Sequence, residues 1–136
     1  MLSPTADTIR LFLHVLAASV WVGGQIVLAG LVPPLRRTYP ESTKVAAQAF
    51  ARVAWPAFAV VVLTGLWNLT EVDVGNTTTE YQVTLFVKIT LAAVSGAAAG
   101  VHMAGRSRAA LAIGGALGLL GALGAMLLGI TLTTGR

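Results

Sequence analysis

The feature that most constrains this chain is an apolar run from Leu11 to Leu35 that contains no Asp, Glu, Lys or Arg. A transmembrane helix needs roughly 20 apolar residues, so this run is long enough to cross a bilayer. The whole chain is 56% hydrophobic and only 10% charged, whereas a soluble domain carries about 25% charged residues. The sequence therefore predicts an integral membrane protein surrounded by a lipid bilayer.

Three further apolar stretches follow the first, and short loops separate them. The predicted spans cover residues of about 8–32, 46–69, 81–104 and 109–132, and Pro33 and Pro34 are expected to end the first. Its apolar run exceeds the roughly 7–15 residues of a signal-peptide core, so we interpret it as a retained helix. Short loops favour sequential antiparallel packing. The predicted fold class is all-α, an integral membrane up-down four-helix bundle, with residues 1–136 as a single domain.

The basic residues are distributed unevenly between the two sides of the predicted bundle. The first and third loops carry the larger set, namely Arg36, Arg37, Lys44, Arg106 and Arg108. The opposite side carries Arg10 and Arg136 together with the acidic residues Asp7, Glu71, Asp73 and Glu80. Cytoplasmic loops are enriched in Lys and Arg. We therefore expect a protein of the cytoplasmic (inner) membrane with both termini outside, and no nucleic-acid partner despite the net charge of +4.

Ionisable side chains within the spans are the main candidates for function, because such groups are costly in a bilayer. Four qualify: His14, Arg52, Lys88 and His102. Each also has a simpler interpretation. Lys88 and Arg52 can extend towards the headgroups, His102 can be an interfacial residue, and His14 can be hydrogen-bonded within the bundle.

Depth and helical spacing sort the four candidates into two groups. His14 and Lys88 both lie roughly 10 Å below the outer surface at 1.5 Å per residue, so we expect them to face each other. His14, Ala18, Trp21 and Gln25 share one helix face, as do Lys88, Ala92, Ser95, Ala99 and His102;. Thr64 and Asn68 are expected to join the outer cluster, and Gln25 to join Arg52 and His102 in the inner one.

Small residues in the last two spans predict close helix packing. Span 3 holds Gly96 and Gly100, and span 4 holds Gly114, Gly118, Gly121 and Ala125 along one face. These residues predict contact between spans 3 and 4. The alternative is that the Gly-rich helices form a homodimer or dock against a larger membrane complex.

Three segments together resemble a known family. The segment LHVLAASVWVGG at 13–24 resembles the first helix of the copper-resistance protein D (CopD) family. ARVAWPAFAVVVLTGLWNL at 51–69 and LFVKITL at 85–91 resemble its next two helices. The related HemJ-type protoporphyrinogen oxidases share a set of residues that corresponds here to His14, Trp21, Gly24, Arg52, Pro56, Lys88 and His102. The resemblance implies a haem b protein that depends on its His and Lys, or a role in copper passage across the inner membrane.

Three functions follow from these observations. In the first, haem b binds within the bundle with His14 as iron ligand, and Lys88 is either the second ligand or a propionate partner. Arg52 would reach a propionate only if the haem extends inward, and His102 lies too far from His14 to share one iron. The second function is copper transport or homeostasis, although the chain has no Cys and only three Met, and copper(I) prefers sulfur ligands. The third is an accessory subunit of a larger membrane complex. No catalytic residue is assigned.

The orientation can be tested with cysteines introduced at Asn76 and Ser107, since the natural chain contains none. We expect an impermeant thiol reagent applied to intact cells to label the first position and not the second. Labelling of Ser107→Cys without Asn76→Cys would reverse the orientation.

Overall fold

The structure, a computed structural model, describes residues 2–135 and contains four long helices. These are α1 (Ala6–Thr38), α2 (Pro40–Thr70), α3 (Thr79–Ala104) and α4 (Arg108–Thr134), with a short 3₁₀ turn at Val74–Asn76. All four are long and apolar enough to cross a membrane. The all-α prediction is confirmed, and the helices identify an integral membrane protein.

The helix starts are set by local capping. Thr5 and Thr8 exchange backbone-to-hydroxyl hydrogen bonds at the start of α1. At the start of α3, the side chain of Thr78 accepts a hydrogen bond from the backbone N–H of Tyr81. At the start of α4, the side chain of Ser107 accepts one from the backbone N–H of Ala110. Such bonds satisfy N–H groups that have no partner within the helix.

The first helix is longer than the predicted span, because it continues through Pro33 and Pro34 to Thr38. A proline removes its own N–H donor and crowds the carbonyl one turn earlier, but it leaves later residues able to donate. The N–H of Tyr39 accordingly donates to the carbonyl of Leu35 at 2.7 Å. Tyr39 alone separates α1 from α2, which begins at Pro40, a residue suited to the first helical turn;.

The chain forms two compact units, the first ending at Asp73 and the second beginning at Val74. Each unit is an antiparallel pair of helices, α1 with α2 and α3 with α4. Together the two units supply the four helices of the predicted bundle. The grouping of residues 1–136 into a single domain stays a prediction, and Arg136, which entered the charge comparison, lies outside the described residues.

Aromatic contacts join the helices of the first unit. The ring of Trp21 lies 4.5 Å from that of Phe58 and 5.4 Å from that of Trp55, measured between centroids. Below these rings, a Cβ added at Gly24 would overlap the ring of Phe50. The predicted inward face of α1 therefore packs on α2.

Small residues join the helices of the second unit, as the glycine spacing in α4 predicts. Ser95 donates its hydroxyl proton to the carbonyl of Gly118 at 2.6 Å. A Cβ at Gly114 would lie 2.9 Å from the carbonyl oxygen of Ala98, and one at Gly121 would lie 2.9 Å from that of Leu91. Contact with α3 therefore occupies the glycine face of α4.

Large apolar side chains cover the outside of both units. Phe86 is 72% exposed, Leu63 65% and Leu120 64%. Contiguous exposed apolar surface of this kind is rare on soluble monomers. Such a surface is expected to contact the hydrocarbon chains of lipids.

The glycine packing makes a stability prediction for Gly121→Ala. The new methyl group would meet the Leu91 carbonyl, so the second unit should lose about 1–3 kcal/mol of stability. Gly100→Ala is the matched control, because a Cβ there has no other atom within 4 Å apart from the helix's own neighbouring backbone. Unfolding followed by circular dichroism in detergent measures both, and equal stability of the two variants would contradict the packing described.

Candidate functional site: a polar ladder between α1 and α2

One face of α1 carries the polar groups that contact α2. Arg10 and Trp21 are buried, His14 is half-buried between them, and Ala17 completes the spacing. Residues separated by three or four positions lie on the same helix face. Two contacts lie near the N-terminal end of this face, Arg10 with Glu71 and His14 with Thr64. We call these two contacts the polar ladder.

His14 is held by a hydrogen bond to α2. Its Nδ1 lies 2.8 Å from the hydroxyl oxygen of Thr64. That hydroxyl also lies 2.6 Å from the carbonyl oxygen of Val60, which can only accept. Because Thr64 has a single hydroxyl O–H and donates it in the hydrogen bond to Val60, its oxygen accepts a hydrogen bond from the Nδ1–H of His14;. In the neutral ring, the lone pair then lies on Nε2.

The neighbouring residue on α2 is small. A Cβ at Gly65 would lie 3.6 Å from Cε1 of His14, which is an ordinary contact distance. Cε1 is the ring atom between the two nitrogens. Residue 65 of α2 therefore lies beside the imidazole ring, and its position also has room for a methyl group.

Arg10 makes the second contact of the polar ladder, one helical turn before His14. Its Nη1 lies 3.0 Å from Asp7 and 3.5 Å from Glu71. The guanidinium carbon lies 5.9 Å from the ring centroid of Trp67, and the indole N–H of Trp67 donates to Glu71 at 3.3 Å. These contacts offset part of the cost of burying the charge, although Nε of Arg10 is buried without a hydrogen-bond partner among the described residues.

Sequence reasoning treated Arg10 as an outer-loop charge and missed its burial. The residue is only 8% exposed. A signal was present, because Arg10 precedes His14 by four positions and so extends the inward face of α1 by one turn;. Trp67, expected only as an interfacial aromatic residue, is part of the same contact.

Lys88 and His102 lie in the second unit, and both contact α4. A Cβ at Gly129 would lie 3.3 Å from Nζ of Lys88, so this glycine leaves room for the half-buried amine. Nδ1 of His102 lies 2.6 Å from the carbonyl oxygen of Leu111, to which it must donate. His102 thus joins α3 to α4 as an exposed side chain rather than as part of the polar ladder.

The remaining candidates of the first unit, Arg52 and Gln25, lie along their helices at a distance from the polar ladder. Arg52 is exposed on α2, and it precedes Thr64 by twelve positions, or about 18 Å of helix. Gln25 donates to the carbonyl of Trp21 in its own helix at 3.1 Å. The predicted contact between His14 and Lys88 would join the two units and stays a prediction.

The described residues contain no group of three or more His, Asp or Glu side chains placed to hold a metal ion. A shallow apolar hollow of about 190 Å³ lies elsewhere, at the α1–α2 turn, and none of its lining residues belongs to the polar ladder; they are Leu31, Pro34, Leu35, Thr38 and Tyr39. The hollow and the polar ladder are therefore separate features of the first unit.

Comparisons with known proteins find no matching family model, no matching curated protein and no matching solved structure. The resemblance to the CopD and HemJ-type families accordingly stays a prediction from the residues.

The hydrogen bond of Thr64 predicts the effect of Thr64→Val, which keeps the shape of the side chain and removes the acceptor. A buried donor left without its partner costs about 1–3 kcal/mol. Because His14 is half-buried, the first unit should be destabilised by about 1 kcal/mol, the lower end of that range. Thr90→Val is the matched control, because its hydroxyl bonds only to the carbonyl of Phe86 in its own helix. Chemical unfolding in detergent compares them, and Thr64→Ser should retain most of the stability. A Thr64→Val protein as stable as Thr90→Val would show that the bond to His14 contributes nothing.

Proposed function

We propose that this chain is an inner-membrane haem b protein of the CopD and HemJ type, with His14 as an iron ligand and a role in redox or electron transfer. The observation that carries the proposal is the hydrogen bond from Nδ1 of His14 to Thr64. Histidines that bind metals almost always donate their other ring N–H to an oxygen acceptor, which sets the tautomer and the ring orientation.

The chemistry of His14 fits the group it is proposed to hold. Neutral imidazole is a common axial ligand of haem iron, and the tautomer described here directs its lone pair to Nε2. A bound haem b would supply one-electron transfer between ferric and ferrous iron. The chain itself would hold the imidazole through Thr64 and exclude water by placing the ring within an apolar span.

The contact of Arg10 with Glu71 supports the same site one turn away. It ties α1 to α2 at the end of the hairpin and so maintains the alignment in which His14 meets Thr64. Arg10 is therefore proposed as a positioning residue and not as a ligand.

Lys88 is proposed as the second iron ligand or as the partner of a haem propionate. Its support is the glycine at position 129, which leaves space for the amine. Arg52 and His102 remain proposed contacts of the haem with less support. Arg52 lies about 18 Å along α2 from Thr64, and His102 lies about 21 Å along α3 from Lys88. The proposed orientation places both termini outside the cytoplasmic membrane.

Copper transport and an accessory role are the competing functions. A copper(I) path favours sulfur donors, and the chain offers no Cys and three Met. A docking role through the Gly-rich helices has less support, since the glycine face of α4 is occupied by α3. The side-chain chemistry therefore favours haem.

The test is the haem content and absorption spectrum of the protein purified from cells supplied with haem. His14→Ala should lower haem occupancy at least tenfold in that preparation, because the imidazole is removed while the apolar spans that drive insertion remain. His102→Ala is the matched control and should retain most of the haem. Lys88→Met should change the spectrum if the amine ligates iron and leave it similar if the amine pairs with a propionate.

Two outcomes would contradict the proposal. One is full haem occupancy with an unchanged spectrum in His14→Ala, which would exclude His14 as the ligand. The other is a wild-type protein that takes up no haem. Copper found by metal analysis in that preparation would favour copper transport, and the absence of both would favour an accessory subunit.

A further inference from the structure

The end of the first unit opposite the polar ladder carries a group of exposed basic residues. Arg36 and Arg37 lie in the last turn of α1, and Lys44 lies in the second turn of α2. Since Tyr39 alone separates the two helices, all three charges surround one tight turn. Tyr39 itself is 58% exposed, as interfacial aromatic residues are;.

Arg52 extends this basic group along α2. Lys44, Gln48 and Arg52 follow at intervals of four residues, so they lie on one helix face, and all three are exposed;. Arg52 lies about 12 Å along the axis from Lys44. We call this face, together with Arg36 and Arg37, the basic stripe.

The basic stripe has no ion-pair partner among the described residues. Arg36, Arg37, Lys44 and Arg52 form no ion pair with any carboxylate of the described residues. Glu41 is the acidic residue closest in sequence. Four cationic groups on an exposed face favour an anionic partner.

Apolar side chains alternate with these charges. Val45 is 67% exposed beside Lys44, and Val53 is 59% exposed beside Arg52. A small soluble anion offers no apolar surface to contact the two valines. A phospholipid presents an anionic headgroup and apolar acyl chains side by side. Arginine and lysine can extend their charged groups towards headgroups while their aliphatic stems remain in the apolar layer.

We propose that the basic stripe binds anionic phospholipids in the leaflet that surrounds the α1–α2 turn. Lys44, Arg36 and Arg37 contact the phosphate groups at the turn, and Arg52 reaches them from deeper in the span. This role does not depend on haem binding, and it gives Arg52 a second proposed role besides contact with the haem. It is also independent of which side of the membrane the turn occupies.

The test uses the full chain in nanodiscs, with both leaflets of the same composition. Gln48→Cys places a single thiol within the basic stripe, because the natural chain has no cysteine. A fluorophore on this thiol is quenched by brominated phosphatidylglycerol or, for comparison, by brominated phosphatidylcholine. The ratio of the two quenching curves gives the relative association constant of the lipids at this face.

We expect phosphatidylglycerol to be preferred on the order of tenfold at low salt, since basic residues at a membrane surface attract anionic lipids, and we expect the preference to fall in high salt. Arg52→Gln and Lys44→Gln should each reduce it severalfold, and Arg52→Lys should restore most of it. The matched control is Arg106→Gln with Arg108→Gln, which removes two charges outside the basic stripe and should reduce the preference less than either Arg52→Gln or Lys44→Gln.

Three results would overturn the proposal. The first is equal quenching by the two lipids in the wild-type background. The second is an equal loss of preference in the Arg106 and Arg108 control, which would indicate only the net charge of the protein. The third is full competition by soluble glycerophosphate, which would indicate a site for a free anion. Helix content measured by circular dichroism verifies that each variant is folded.

Discussion

In hydrocarbon, a helix gains little by moving apolar side chains from lipid onto a neighbouring helix, so close approach and polar contacts must hold helices together. Both units follow this constraint, because their buried residues are mostly small or polar rather than large and aliphatic. In the second unit, Gly114 and Gly121 let two backbones approach, and Ser95 bonds a carbonyl of the facing helix. In the first unit, aromatic rings and the polar ladder perform this task.

The same constraint explains how His14 is oriented between two helices. A ring N–H in an apolar span needs an acceptor, and Thr64 supplies one from the next helix;. Meeting that need selects one tautomer and aims the other nitrogen away from the bond. Structure and proposed chemistry thus depend on the same contact, and the Arg10–Glu71 pair maintains the alignment that permits it.

Residue patterns were sufficient to predict much of this arrangement. The length of the apolar runs predicted the four helices, and glycine spacing predicted the face of α4 that packs on α3. Thr64 was placed in the same outer cluster as His14, but its hydrogen bond to His14 was not predicted. The ends of the helices were harder to predict from the sequence, because Pro33 and Pro34 weaken a helix without ending it. Arg10 was missed because its burial depends on a carboxylate more than sixty positions away in the sequence, and only the tertiary structure brings Glu71 to it.

The most direct measurement of the central claim is the nitrogen NMR spectrum of the protein labelled with ¹⁵N-histidine. Only two histidines are present, and a His102→Gln variant assigns the signals of His14. The account predicts that Nδ1 of His14 carries the proton, that Nε2 is unprotonated, and that Thr64→Val alters the Nδ1 signal. A neutral His14 with its proton on Nε2, unaffected by Thr64→Val, would contradict it.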